Sequence, residues 1–132
     1  MSAIGILGTG ARYALGGVRL AAGATGLFAP RMIISRFGDD APTGNPAAVY
    51  GLRLFGVRTI LIGLDLWRLE GRELDRALRA APLIHASDTA TVLALQQSRQ
   101  LSPERARPLL LISGTNTLLS VLALLASRRS AR

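Results

Sequence analysis

Four apolar stretches, separated by short runs of charge and turn residues, organise this chain of 132 residues. The last is the plainest. Pro108 to Ala126 (PLLLISGTNTLLSVLALLA) carries no charge and stops at Ser127-Arg128-Arg129; it is long enough to cross about 30 Å of hydrocarbon. Pro108 suits a first helical position, where its missing N–H costs nothing. The second stretch, Ala47 to Trp67, is strongly apolar although it holds Arg53, Arg58 and Asp65. Tyr50 and Trp67 stand near its ends, where an aromatic belt places them. The first covers about Arg12 to Pro30, or starts nearer Ile4, and contains Arg19. The third, Ala77 to Gln97, carries Pro82, His85 and Asp88, and taken alone reads as a surface or core helix.

The connections are short. Arg31 to Pro46 holds the Asp39-Asp40 pair and the breaker cluster Pro42-Thr43-Gly44-Asn45-Pro46. Arg68 to Arg76 and Ser98 to Arg107 are the other two. Within the middle one and the residues after it, Asp75 and Arg79 stand at i, i+4, the pattern of a solvated amphipathic helix start. Short connections favour antiparallel neighbours. The pattern therefore predicts an all-α chain, a four-helix up-down transmembrane bundle forming a single integral membrane domain over residues 1–132.

Composition sharpens this. Apolar residues make up 49% and charged residues 18%, against about 25% charged in soluble domains. The formal charge is +8, and every basic residue is Arg. A soluble all-helical protein with a nucleic-acid surface is the rival reading. Such surfaces cluster their charge with aromatics, whereas here aromatics are 5% and much of the Arg punctuates the apolar stretches. Anionic headgroups of a lipid bilayer are thus the expected partner and nucleic acid is not, with Arg68, Arg72, Arg128 and Arg129 as the headgroup contacts. With four spans, the side shared by the two termini and the middle connection collects Arg12, Arg68, Arg72, Arg76, Arg79, Arg128, Arg129 and Arg132; the other has Arg31, Arg36, Arg99, Arg105 and Arg107. That excess puts both termini in the cytoplasm of a bacterial inner membrane. No cleavable signal peptide is expected, since no charged residue precedes Arg12.

Polar groups deep in the spans are the candidate chemistry. Arg19, Arg58, Asp88 and Asn116 each fall near the middle of a different stretch, where a charge costs about 2.5–3.5 kcal/mol. Sharing one carboxylate between guanidinium forks is the economical solution. The expectation is therefore an Arg58–Asp88 pair, with Arg19 and Asn116 completing the network. His85, three residues before Asp88, shares its face and acts as a hydrogen-bonded helper. Asp65 lies seven from Arg58 on the same face, while Arg53 points elsewhere and snorkels. Gly16 with Gly23, and Gly56 with Gly63, are spaced to let helices approach closely. Such a network either fixes helix neighbours or forms a ligand or proton site. Cysteine is absent, which removes disulfides and thiolate chemistry. A lone histidine gives poor metal-ligand spacing, so no metal and no cofactor are expected. The glycines of GILGTG lack the strand-turn-helix unit of a dinucleotide site.

The stretch Arg53-Leu54-Phe55-Gly56-Val57-Arg58, followed by Gly63, resembles a signature of small four-helix membrane proteins of the DoxX-like kind, nearest to an uncharacterised, largely actinobacterial branch. The resemblance places Arg19 in the first helix, the R-x-x-G-x-R stretch in the second and the carboxylate Asp88 in the third. It implies a four-helix membrane fold and no assigned activity. DoxX relatives are linked to quinone-coupled redox complexes, but a chain without Cys or a haem-ligating pair argues against an independent redox role. The expected function is that of a non-catalytic accessory or scaffold subunit binding a membrane partner, another copy of itself, or a lipid or isoprenoid-like ligand. The alternative is a membrane-embedded enzyme or small transporter using the Arg58/Asp88 site.

Overall fold

The computed structural model describes residues 3–38 and 42–130, so the Asp39-Asp40 pair and Arg132 lie outside the described residues. Within those limits every regular element is a helix. α1 runs over Ala3–Phe28; a short α2 (Pro30–Ile34) and a 3-10 turn (Ser35–Phe37) follow; then come α3 (Pro46–Arg68), α4 (Gly71–Gln97) and α5 (Pro103–Ser130).

The helix ends follow from local chemistry. α1 stops where Ala29 leaves the helical region (φ −133°, ψ 52°) and Pro30 opens α2, its fixed φ suiting the first helical position. At α3 the Asn45 side chain accepts from the Ala47 N–H at 2.9 Å and the Ala48 N–H at 3.3 Å, an N-cap that Pro46 completes. This helix matches the sequence reading within a residue at each end.

Two starts differ from that reading. α4 begins at Gly71 rather than Ala77, so only Leu69 and Glu70 separate it from α3. Gly71 adopts φ +55°, a left-handed conformation that glycine reaches without a steric penalty. The charged residues that follow are helical, and Arg79 pairs with Asp75 at 2.5 Å as their spacing suggested. α5 begins at Pro103, which leaves Pro108 inside the helix rather than opening it. The hydrogen bond that Pro108 cannot donate would have gone to Glu104, in the first turn and exposed, so the loss is small.

α1 is the central packing element. It runs antiparallel to α3, with Gly16 against Gly63, Gly23 against Gly56 and Gly26 against Leu52. α5 returns along another side of α1, with Gly8 against Ala126. α4 packs on α5, whereas α3 and α4 touch little. The α1–α3 seam is backbone on backbone. A Cβ at Gly23 would stand 2.8 Å from the Gly56 carbonyl oxygen, and one at Gly56 would stand 2.5 Å from the Leu27 nitrogen.

Large apolar side chains are more often exposed than buried. On α5 the buried positions are Ala106, Ser113, Asn116, Ser120, Ala123 and Ala126, while Leu111, Ile112, Leu118, Leu122 and Leu125 are exposed. Among the described residues only Leu15, Ile34, Leu66, Leu78 and Leu101 are large apolar side chains in the interior, against twenty-two that are exposed. Each such side chain left in water forgoes about 1.5–3 kcal/mol. Two helices, α3 and α5, are long and apolar enough to cross a membrane.

Candidate functional site

The inward face of α1 repeats as Gly8, Ala11, Leu15, Gly16, Arg19, Gly23 and Gly26. This series carries Arg19 into the interior, where it is 4% exposed. The inward face of α4 is Leu78, Ala81 and His85, which brings a buried imidazole to the same level. Arg19 Nε donates to His85 Nε2 at 3.1 Å, and Nη2 lies 2.8 Å from the same atom. Two guanidinium N–H groups on one ring nitrogen require its lone pair there, so the ring is neutral and its proton sits on Nδ1.

Asp88 stands one helical turn further along α4, its Oδ2 3.7 Å from His85 Nδ1 and its side chain 51% exposed. That distance is beyond a hydrogen bond, and Nδ1 is enclosed with no hydrogen-bond partner among the described residues. The arrangement is a buried guanidinium hydrogen-bonded to an imidazole, with an exposed carboxylate nearby but not in hydrogen-bond contact. Chemically, the unpaired Nδ1–H offers one donor to an acceptor entering beside Asp88.

The remaining candidates separate. Arg58 is exposed on α3 and makes no hydrogen bond or ion pair among the described residues. The expected Arg58–Asp88 pair is therefore replaced by Arg19–His85. The facing pairs Gly23–Gly56 and Arg19–His85 still put Arg58 and Asp88 within about one helical turn of the same level; azimuth keeps them apart. Gly56, Thr59, Gly63 and Leu66 form the buried face of α3, and Arg58 lies about 200° round the helix from Gly56. Asn116 is buried on α5 but makes no hydrogen bond to Arg19, His85 or Asp88. Asp65 is exposed, and Arg53 lines a small hollow of about 250 Å³ with Arg31.

Arg72 and Arg128 line a cleft of about 780 Å³ between the first halves of α1 and α4 and the end of α5, whereas Arg68 and Arg129 are exposed outside it. In the sequence Arg12 reads only as loop charge. Its guanidinium donates to the backbone carbonyls of Leu66 and Leu69, closing orphan acceptors at the C-terminus of α3. Its proximity to Tyr13 in sequence gave no hint of this, because both acceptors are backbone atoms more than fifty residues away. No group of three His, Asp or Glu side chains that could hold a metal occurs among the described residues. No family model, curated protein or solved structure matches the chain.

Proposed function

We propose that this chain is a four-helix, up-down integral membrane protein with both termini cytoplasmic, of the DoxX-like kind, serving as a non-catalytic accessory or scaffold subunit that holds a membrane partner or a lipid-like ligand. One observation carries the membrane part: small and polar residues outnumber the large apolar ones in the interior, while twenty-two large apolar side chains are exposed. Close approach through Gly, Ala and Ser is how helices pack in lipid. The apolar stretches of α3 and α5 are only 17% and 28% buried inside the chain, whereas a core helix of a soluble protein is mostly buried. Alkaline carbonate extraction tests this. Retention in the pellet is expected, and release into the supernatant would contradict it.

The accessory role rests on Arg58. A guanidinium exposed at mid-helix of α3 would cost about 2.5–3.5 kcal/mol against lipid. A protein neighbour on that face, another subunit or a second copy, removes the cost by supplying an acceptor.

A second reading is favoured by the enclosed, unpaired Nδ1 of His85 beside Asp88. A membrane-embedded enzyme or small transporter would use Arg19, His85 and Asp88 rather than Arg58 and Asp88, passing a proton or gripping a polar ligand there. Proton flux in proteoliposomes that is unchanged by Asp88→Asn would remove this reading.

A further inference from the structure

One end of the four long helices is open. Where α1 and α4 begin and α5 finishes, the cleft of about 780 Å³ lies within the usual range of ligand sites. Its wall is largely apolar, with Leu78 buried, Leu74 half-buried, and Ala123 and Ala126 beside them. Around it stand Arg12, Arg72, Arg79 and Arg128 against the single carboxylate of Asp75. Two of these cations are engaged: Arg12 by the carbonyls that end α3, and Arg79 by Asp75. Arg72 and Arg128 have no hydrogen-bond or ion-pair partner among the described residues.

The depth of the cleft is marked by its neighbours. Trp67 Nε1 donates to the Tyr13 carbonyl at 3.0 Å, the two rings lie 6.4 Å apart, and the Arg12 guanidinium sits 5.2 Å from the Tyr13 ring. Tyr and Trp settle at the headgroup level of a bilayer. Arg12 belongs to both groups, and the facing pairs Gly8–Ala126 and Arg19–His85 place Arg128 and Arg72 about two helical turns nearer the open end than Tyr13, on the headgroup side of that belt.

From these observations we infer that the cleft binds a phosphate-bearing amphiphile, its phosphate held by Arg72 and Arg128 and its first carbons lying on Leu74 and Leu78. The inference rests on the membrane reading above. Guanidinium forks engage two phosphate oxygens at once, and the apolar wall directly beneath gives a tail, rather than a free ion, somewhere to go.

The test uses the full chain in nanodiscs of phosphatidylcholine with added phosphatidylglycerol, with retained lipid counted by native mass spectrometry. The double variant Arg72→Gln/Arg128→Gln is expected to lower phosphatidylglycerol retention by about tenfold or more. Thr9→Trp, which occupies the cleft and leaves its charge intact, should do the same and stands as the test if the double variant does not fold. Arg36→Gln/Arg107→Gln removes the same charge from exposed positions at the opposite end and should leave retention unchanged. Equal loss in both double variants, or full retention in Thr9→Trp, overturns the assignment. Displacement of the lipid by millimolar inorganic phosphate would reassign the cleft to a soluble anion and overturn the lipid. A chain that fails to enter the nanodisc at all contradicts the membrane reading instead.

Discussion

Arg19 and His85, 66 residues apart in sequence, meet in the interior with the guanidinium Nη2 2.8 Å from the imidazole Nε2. The contact joins α1 to α4, two helices that otherwise communicate mainly through α5. A buried cation is thereby held by a neutral ring rather than by a carboxylate, and the ring's other nitrogen lies 3.7 Å from Asp88 Oδ2.

The first consequence is a fixed tautomer. Since Nε2 must accept, ¹⁵N spectra of labelled protein should show His85, the only histidine in the chain, with Nδ1 protonated and Nε2 bare. A protonated Nε2 would break the geometry at its centre.

Removing the acceptor should be costly. His85→Leu leaves Arg19 buried without a partner, and hydrogen bonds to charged groups contribute about 1.5–3 kcal/mol. A loss of that size is expected in denaturant titrations in detergent, with His85→Gln recovering part of it by restoring an acceptor. Equal stability of His85→Leu and the wild type would mean that Arg19 escapes to solvent.

The α1–α3 seam makes an opposite pair of expectations. Gly56→Ala puts a Cβ within 2.6 Å of the Gly23 carbonyl oxygen, and overpacking of this kind costs about 1–3 kcal/mol. Gly51→Ala meets nothing within 4 Å on the same helix and should gain about 0.5–1 kcal/mol from reduced backbone freedom in the unfolded chain. Thermal melts of the two variants should move in opposite directions.

Arg58 gives a test of the partner surface. Native-detergent electrophoresis of the wild type should show a complex larger than one chain, and Arg58→Leu should dissolve it. A wild type that migrates alone would argue against an accessory role.

Much of this fold is legible in the sequence where apolar content and helix signals coincide. α3 is the clearest case, because Asn45-Pro46 caps it and the apolar run fills it. The starts of α4 and α5 lie earlier than the apolar pattern predicts for one reason: hydropathy reports the stretch suited to lipid, whereas a helix continues for as long as its backbone bonds allow. Glu104, Arg105 and Arg107 look like a loop and are helical. The site was half legible. Arg19, His85 and Asp88 stand out in the sequence as polar groups within apolar stretches, and the structure brings Arg19 to His85; Arg58 falls on another side of α3 because spacing along the chain does not by itself say which face of a helix is buried. The glycine stripe held the missing information. Gly56 and Gly63 mark the buried face of α3, and Arg58 stands on the far side of the helix from Gly56.

Everything proposed for the partner face and the lipid cleft depends on which solvent the outward leucines meet. The chain contains no cysteine, so single spin labels can be placed at Val18, Leu61, Leu83 and Leu118, one exposed position on each long helix. In liposomes all four should collide freely with oxygen and poorly with a water-soluble nickel complex. Frequent nickel collisions at Val18 and Leu83, on the two long helices other than α3 and α5, would show that water surrounds them and that the chain does not span a membrane four times.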